Sequence, residues 1–227
     1  MKTKKSLIFP ILIFFAVLIT TNFLYTKKAF ANPNELINKS EQSLKRFLTD
    51  EDHSRLHNLM KNAKAIIIFP SLLKGGFFFG IEGGDGILLI KEDKKWTSPL
   101  FFTMGSVSFG FQIGISDAEM ILTVMTERGL NTILNHRVKL GADVNVSAGP
   151  VGFGAEAATT LKLADIYSFS RGRGAYAGIS LEGSYIYPNK DFNSEYYGKD
   201  LDISGQSSYK ELLGRETNNF NKILKGY

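Results

Sequence analysis

The hydrophobic pattern changes period twice along this chain. Residues 7–25 are almost wholly apolar. Over residues 34–63 the apolar positions Leu36, Ile37, Leu44, Phe47 and Leu48, then Leu56, Leu59, Met60 and Ala63, recur at helical spacing. Thr49-Asp50-Glu51-Asp52 between the two groups offers a cap and an acidic first turn, so two amphipathic helices are predicted. From Ala65 the period shortens. Residues 65–69 form a β-branched apolar run that Pro70 should stop, and the runs 77–79 and 86–90 bracket Gly83-Gly84-Asp85-Gly86, which reads as a turn. Val107, Phe109, Phe111, Ile113 and Ile115 alternate with small or polar residues, as in a strand with one apolar face. Residues 120–125 are apolar at both parities, as expected of a strand covered on both faces, and Leu130, Ile133 and Leu134 predict a short helix. Alternation returns at Val144/Val146/Ala148, Val151/Phe153/Ala155 and Ala175/Ala177/Ile179/Leu181. Tyr209, Leu212, Leu213, Phe220, Ile223 and Leu224 then repeat at helical spacing. The expected class is α+β: a mainly antiparallel, glycine-rich sheet folded as a sandwich or barrel, with two N-terminal helices and a C-terminal helix.

Composition supports one sizeable core. Of 227 residues 44% are hydrophobic and 22% charged, and there is no cysteine, which excludes a disordered tail and a disulfide-stapled miniprotein. The net charge of +5 suggests an anionic partner until its source is found. Lys2, Lys4, Lys5, Lys27 and Lys28 supply it, all within residues 1–31, where no acidic residue occurs; the remaining basic and acidic residues balance. Nucleic acid is therefore not an expected partner. The basic start, the apolar run and Ala29-Phe30-Ala31 before Asn32-Pro33 follow the order of a secretory signal peptide. The apolar run is also within the roughly 17–25 residues that span a bilayer, so an uncleaved anchor is the alternative. Either way the folded part is expected to be exported, to a periplasmic or cell-envelope location, and the absence of a cysteine excludes an acylated-lipoprotein route. The expected organisation is a signal or anchor over 1–31, helices over 32–63, a β-rich domain over 64–205 and a C-terminal helix over 206–227.

The β-rich segment carries an ordered series of short motifs. They begin with Phe69-Pro70 followed by Lys74-Gly75-Gly76-Phe77, then Gly86-Ile87-Leu88, Trp96 with Pro99, and Phe109-Gly110-Phe111-Gln112-Ile113-Gly114. Leu140-Gly141-Ala142 leads into Ala148-Gly149-Pro150-Val151-Gly152, and Tyr167-Ser168 with Arg171, Ala177-Gly178-Ile179-Ser180-Leu181-Glu182-Gly183 and Tyr196-Tyr197-Gly198 complete it. In this order and spacing, residues 64–205 resemble the SYLF domain, the lipid-binding module also known as the Ysc-type actin-binding domain. The chain departs from the family in bulk at Phe77-Phe78-Phe79. The resemblance implies a non-enzymatic domain that binds phospholipid or phosphoinositide. It also implies actin as a partner of eukaryotic members, which an export signal makes an unexpected target here.

The residues offer little to catalysis. His53 and His57 lie four apart on a predicted helix but lack the glutamate of H-E-x-x-H, so a solvated helix face is the expected reading rather than a metal site. His136 reads as a helix-end cap. No G-x-S-x-G surrounds a serine, and Asp50, Glu51 and Asp52 fit a helix start rather than a glycosidase pair. The glycine clusters lack the Lys-Ser/Thr of a phosphate loop, so turns and bulges explain them, and no cofactor is expected. Candidate headgroup contacts are cations beside glycine, namely Lys74, Arg171 and Arg173, where backbone N–H groups and a side chain can converge on phosphate. Lys94 and Lys95 beside Trp96 form a second candidate, because an indole prefers the interfacial zone while lysines reach headgroups. Phospholipid association is thus the leading expectation. An integral outer-membrane β-barrel or a structural envelope protein is the alternative, motivated by the signal and the strict alternation.

Overall fold

The structure, a computed structural model, describes residues 30–50, 54–76, 79–93, 95–109, 114–135, 137–149, 164–172, 181, 183–198, 201 and 219–227. The chain divides into two compact units, Met1–Ala31 and Asn32–Tyr227, and the elements below belong to the second.

Both leading helices form where the period requires them. Helix α1 (Pro33–Thr49) starts because Asn32 Oδ1 accepts the Glu35 N–H at 2.9 Å and Pro33 occupies the first turn, where its missing N–H costs nothing. It buries Leu36, Ile37, Leu44 and Phe47; helix α2 (Ser54–Asn62) buries Leu56 and Met60. Next come β1 (Ala65–Gly76), β2 (Phe79–Glu92), β3 (Lys95–Trp96), β4 (Leu100–Phe109) and β5 (Gly114–Val124). Helix α3 (Glu127–Asn135), β6 (Val138–Lys139), β7 (Val146–Ala148), β8 (Ile166–Gly172), β9 (Tyr185–Pro188), α4 (Lys190–Tyr197) and α5 (Phe220–Ile223) follow.

The strands make one curled sheet in the order β6-β9-β4-β2-β1-β5-β8-β7, with β3 added to β2. The class is α+β and the pairing mainly antiparallel, as expected; β7 and β8 are parallel. A sandwich or closed barrel is not what the described strands form. They make a single sheet whose end strands, β6 and β7, do not pair with each other. The helices also differ from expectation. Helix α3 forms where Leu130, Ile133 and Leu134 predict it, but α4 also interrupts the strands without having been expected, and the C-terminal helix is a single turn among the described residues, Tyr209, Leu212 and Leu213 lying outside them.

Two local expectations are corrected. Pro70 does not end a strand, and Gly83-Gly84-Asp85-Gly86 is not a turn: β1 and β2 run through both. The register explains why. Ile68 pairs with Ile87 and Leu73 with Gly83, so Phe69, Pro70, Ser71 and Leu72 stand opposite Gly84, Asp85 and Gly86, one residue more on β1 than on β2. This is a β-bulge, and it accommodates a proline inside the sheet. The glycines are needed because the bulge presses on β2. A Cβ at Gly84 would collide with the Ser71 carbonyl, and one at Gly86 would lie 2.6 Å from the Ile68 carbonyl and 2.5 Å from the Phe69 ring.

Both faces of the sheet are apolar near the α-helices. Ile67, Phe69, Leu88, Phe102, Met120 and Leu122 fill one face with α3 and Leu140, while Ile66, Ile68, Leu89, Phe101 and Ile121 are buried on the other, where α1 and α4 pack. Strand β5 is accordingly apolar at both parities, as its sequence predicts. Polar contacts tie distant segments to this core. Asp165, 4% exposed, accepts from Thr126 Oγ1 at 2.6 Å, from the Asn145 N–H at 3.1 Å and from Arg128. Glu41 on α1 accepts from the Asn219 N–H and side-chain amide beside α5. Among the described residues no helix is long and apolar enough to cross a membrane.

Candidate functional site

Strands β1, β2 and β4 extend beyond the helices that cover their other end, and the register fixes what they carry there. Directly opposed residues of an antiparallel pair lie on one face. Val107 pairs with Ile81, and one step nearer the core Gly105 pairs with Gly83 and Gly83 with Leu73. Leu73, Ile81 and Val107 therefore share the face on which α1 and α4 pack, and they are 47%, 52% and 68% exposed. Further along the same alternation the backbone register opposes Phe79 and Phe109. Three large apolar side chains bared together on one sheet face are unusual for a protein that meets only water.

The covered part of this face ends at a polar seam. Asn189 accepts the Phe192 N–H at 3.0 Å to start α4, and its amide donates to Asp85 Oδ1 at 3.0 Å and Thr103 Oγ1 at 3.2 Å. Thr103 also donates to Asp85 at 2.6 Å. Asn193, one turn on, clamps β4 by accepting the Phe101 N–H at 3.0 Å and donating to its carbonyl at 2.8 Å. Beyond Thr103 this face of β4 is open: Val107 is exposed and a Cβ at Gly105 would meet nothing within 4 Å.

The bare face continues sideways onto β9 and β6. Gly105 pairs with Tyr185 and Thr103 with Tyr187, and Tyr185 pairs in turn with Lys139. The Arg137 guanidinium lies 4.1 Å from the Tyr185 ring centroid and 5.7 Å from that of Tyr187, and Lys139 Nζ is 5.8 Å from Tyr185. One surface thus grades from aliphatic through tyrosine to cation.

The other face of the same sheet end has opposite chemistry. Lys74 pairs with Glu82 and with Ser116, and Ser106 stands across from Glu82. Glu82 is 7% exposed. Burial pushes its carboxyl above the usual range, against the lowering effect of the Lys74 charge.

The cations expected at a headgroup site are dispersed. Lys74 faces Glu82 across the β1–β2 pair. Arg171 is half-buried on β8, with Nε 3.3 Å from Asp50 Oδ2 and its guanidinium 6.0 Å from the Phe47 ring. Lys95 is exposed at the start of β3, opposite Glu92. Trp96, expected as an interfacial anchor, is instead 2% exposed, its backbone bonded to the Asn221 side chain, so its indole belongs to the interior. Lys94 and Arg173 lie outside the described residues. His57 is likewise not on a solvated face: Nε2 is 3.0 Å from the Leu48 carbonyl oxygen and Nδ1 meets the Tyr227 hydroxyl, while His53 and His136 lie outside the described residues. Among the described residues no three His, Asp or Glu side chains cluster to hold a metal.

Sequence reasoning missed Leu73, Ile81 and Val107 as a group, and Arg137, Lys139, Tyr185 and Tyr187 with them. The signal available was the alternation Arg137-Val138-Lys139 and Tyr185-Ile186-Tyr187, which places like residues on one face of a strand.

Comparison with known proteins closes the picture. The family described as "Ysc84: Las17-binding protein actin regulator" matches residues 105–221. LAS seventeen-binding protein 3 of Saccharomyces cerevisiae is 31% identical over 146 residues, 62% of this chain and 32% of that protein. SH3 domain-containing YSC84-like protein 1 of Bos taurus is 30% identical over 147 residues, 63% of this chain and 43% of that protein. A Schizosaccharomyces pombe SH3 domain-containing protein is 30% identical over 158 residues, covering 66% and 36%. The chain thus spans well under half the length of these relatives.

Proposed function

The chain belongs to the Ysc84 family, and from that premise we propose that it is an exported, non-enzymatic domain that associates with phospholipid membranes. The observation that carries this reading is the uncovered apolar row Leu73, Ile81 and Val107 at the free end of the sheet. Burying such side chains in the acyl region stabilises docking with no pocket required. The balanced charge of residues 32–227 leaves long-range attraction weak, so contact must come from this local surface. Export rests on the basic, apolar and Ala29-Phe30-Ala31 order of the first 31 residues. The integral-barrel alternative fits less well, because helices pack on both faces of the sheet, where a barrel wall would present one face to lipid.

The family description names a Las17-binding actin regulator, and the name of the Saccharomyces relative also speaks of LAS seventeen binding. That role becomes the better reading if the first segment does not direct export. Two measurements test the proposal. Fractionation of the source cells should recover the chain outside the cytoplasm. The purified chain, carrying an environment-sensitive dye on a cysteine placed at position 107, should report transfer of that site into phosphatidylcholine–phosphatidylglycerol vesicles. A dye that stays in water at saturating lipid would defeat the membrane reading.

A further inference from the structure

We propose that Arg137 and Lys139, stacked on Tyr185 and Tyr187, form a phosphate-recognition site that engages the headgroup layer while Leu73, Ile81 and Val107 enter the acyl region. The inference rests on the membrane reading above and gives it a headgroup class and an orientation.

Charge pairing separates these two cations from others. Arg46 bonds Glu119, Lys64 lies 2.9 Å from Glu127, Arg128 bonds Asp165 and Arg171 meets Asp50. Arg137 and Lys139 form no ion pair with a carboxylate among the described residues, and both are exposed. The nearby Asp143 is engaged by the Lys139 backbone N–H, at 2.7 Å. Arg137 is instead held by aromatic faces, which leaves the donors at its edge available to an oxyanion while limiting the freedom it would lose on binding. Tyrosine is also a side chain that favours the zone between acyl chains and water.

The spacing agrees. Tyr185 opposes Gly105, two residues from Val107, so one strand spacing and two residues separate them, about 8 Å; Lys139, a strand further, is about 12 Å away. The polar layer of a bilayer is roughly 5–8 Å deep on each side of the hydrocarbon. With Val107 just inside the hydrocarbon, a long cationic side chain on β6 reaches the phosphates. Charge sets the direction of approach. Among the described residues Asp85 is turned into the Asn189 and Thr103 seam, Glu119 is paired with Arg46, and Asp117 stands beyond Leu73 on β5, away from β6. An anionic surface is thus met from the β6–β9 side.

The test uses the full chain, whose lack of cysteine makes a single label at Val107→Cys unambiguous. Insertion of this label is titrated with phosphatidylcholine vesicles alone and with a share of phosphatidylglycerol. The parent should insert at lower lipid when phosphatidylglycerol is present. Arg137→Gln/Lys139→Gln should remove that preference, roughly 30-fold at low salt since each cation near an anionic surface contributes a factor of about five. Thermal unfolding unchanged from the parent verifies the fold. An undiminished preference in the double variant overturns the site while membrane association stands. Absence of insertion into either vesicle overturns the membrane reading itself. Displacement by millimolar glycerol phosphate would assign the cations to a soluble phosphate instead, and so overturn the headgroup assignment.

Discussion

Replacing Ile81 and Val107 together by threonine tests whether the bare row drives docking. Threonine keeps the β-branch that suits a strand, and both positions are more than half exposed, so stability should move by no more than about 0.5 kcal/mol. Full transfer of an isoleucine or valine side chain from water is worth about 1.5–3 kcal/mol. Scaled by exposures of 52% and 68%, the two side chains have roughly 2–3.5 kcal/mol still to gain on insertion. Each threonine retains one methyl group and adds a hydroxyl that resists desolvation, so the loss should be about 2 kcal/mol, a factor of roughly 30 in the lipid needed for half-insertion. A dye on Leu73→Cys, in the same row, reports this in phosphatidylcholine–phosphatidylglycerol vesicles, independently of any anchoring by residues 7–25. A shift below about threefold, with the unfolding temperature intact, would refute the assignment of docking energy to this row.

Further outcomes follow from groups inside the fold. Gly84→Ala should destabilise by about 2 kcal/mol or more, because its new methyl meets the Ser71 carbonyl across the bulge; thermal denaturation reads this as a fall of several degrees. Glu82→Gln should raise stability at neutral pH. Burial lifts the native carboxyl above its unfolded value, so ionisation costs stability as pH rises through the native value; the gain should fade below about pH 4, where glutamic acid is protonated in both states. Asp165 behaves oppositely. Burial opposes its charge, but Thr126, the Asn145 N–H and Arg128 together hold the carboxyl below the usual range, so its contribution is present above about pH 4 and is lost as pH falls through the lower native value. Asp165→Asn should therefore flatten the acid limb of a stability–pH curve and cost about 1–3 kcal/mol at pH 7, measured by denaturant titration.

Legibility from sequence followed the range over which each feature is determined. Helices α1 and α2 and the doubly apolar β5 were readable because period and caps are local. The glycine run in β2 was not, since its cause lies on another strand: the bulge at Pro70 and Ser71 demands the space. Val107 and Ile115 read as one continuous strand, yet β4 and β5 are separated in the sheet by β2 and β1. Alternation cannot reveal that crossing. The candidate site was dispersed in the reading for the same reason. Lys74 and Trp96 carry the right chemistry, but Lys74 faces Glu82 and Trp96 is interior. The graded surface combines five elements, brought together only by register.

The bulge in β1 carries one last implication, about parity. Phe69 and Leu72 both contribute to the same buried face although one number is odd and the other even. The additional residue between Phe69 and Leu73 therefore exchanges inside for outside along the remainder of the strand. Deleting Ser71 would let a regular ladder carry Leu73 and Lys74 on the faces they hold now, whereas forcing the unshortened strand into a regular ladder would turn Leu73 inward and Lys74 outward, swapping grease for charge with no side chain replaced. The amphipathic sense of β1 at this extremity is thus written in the bulge rather than in simple alternation along the sequence.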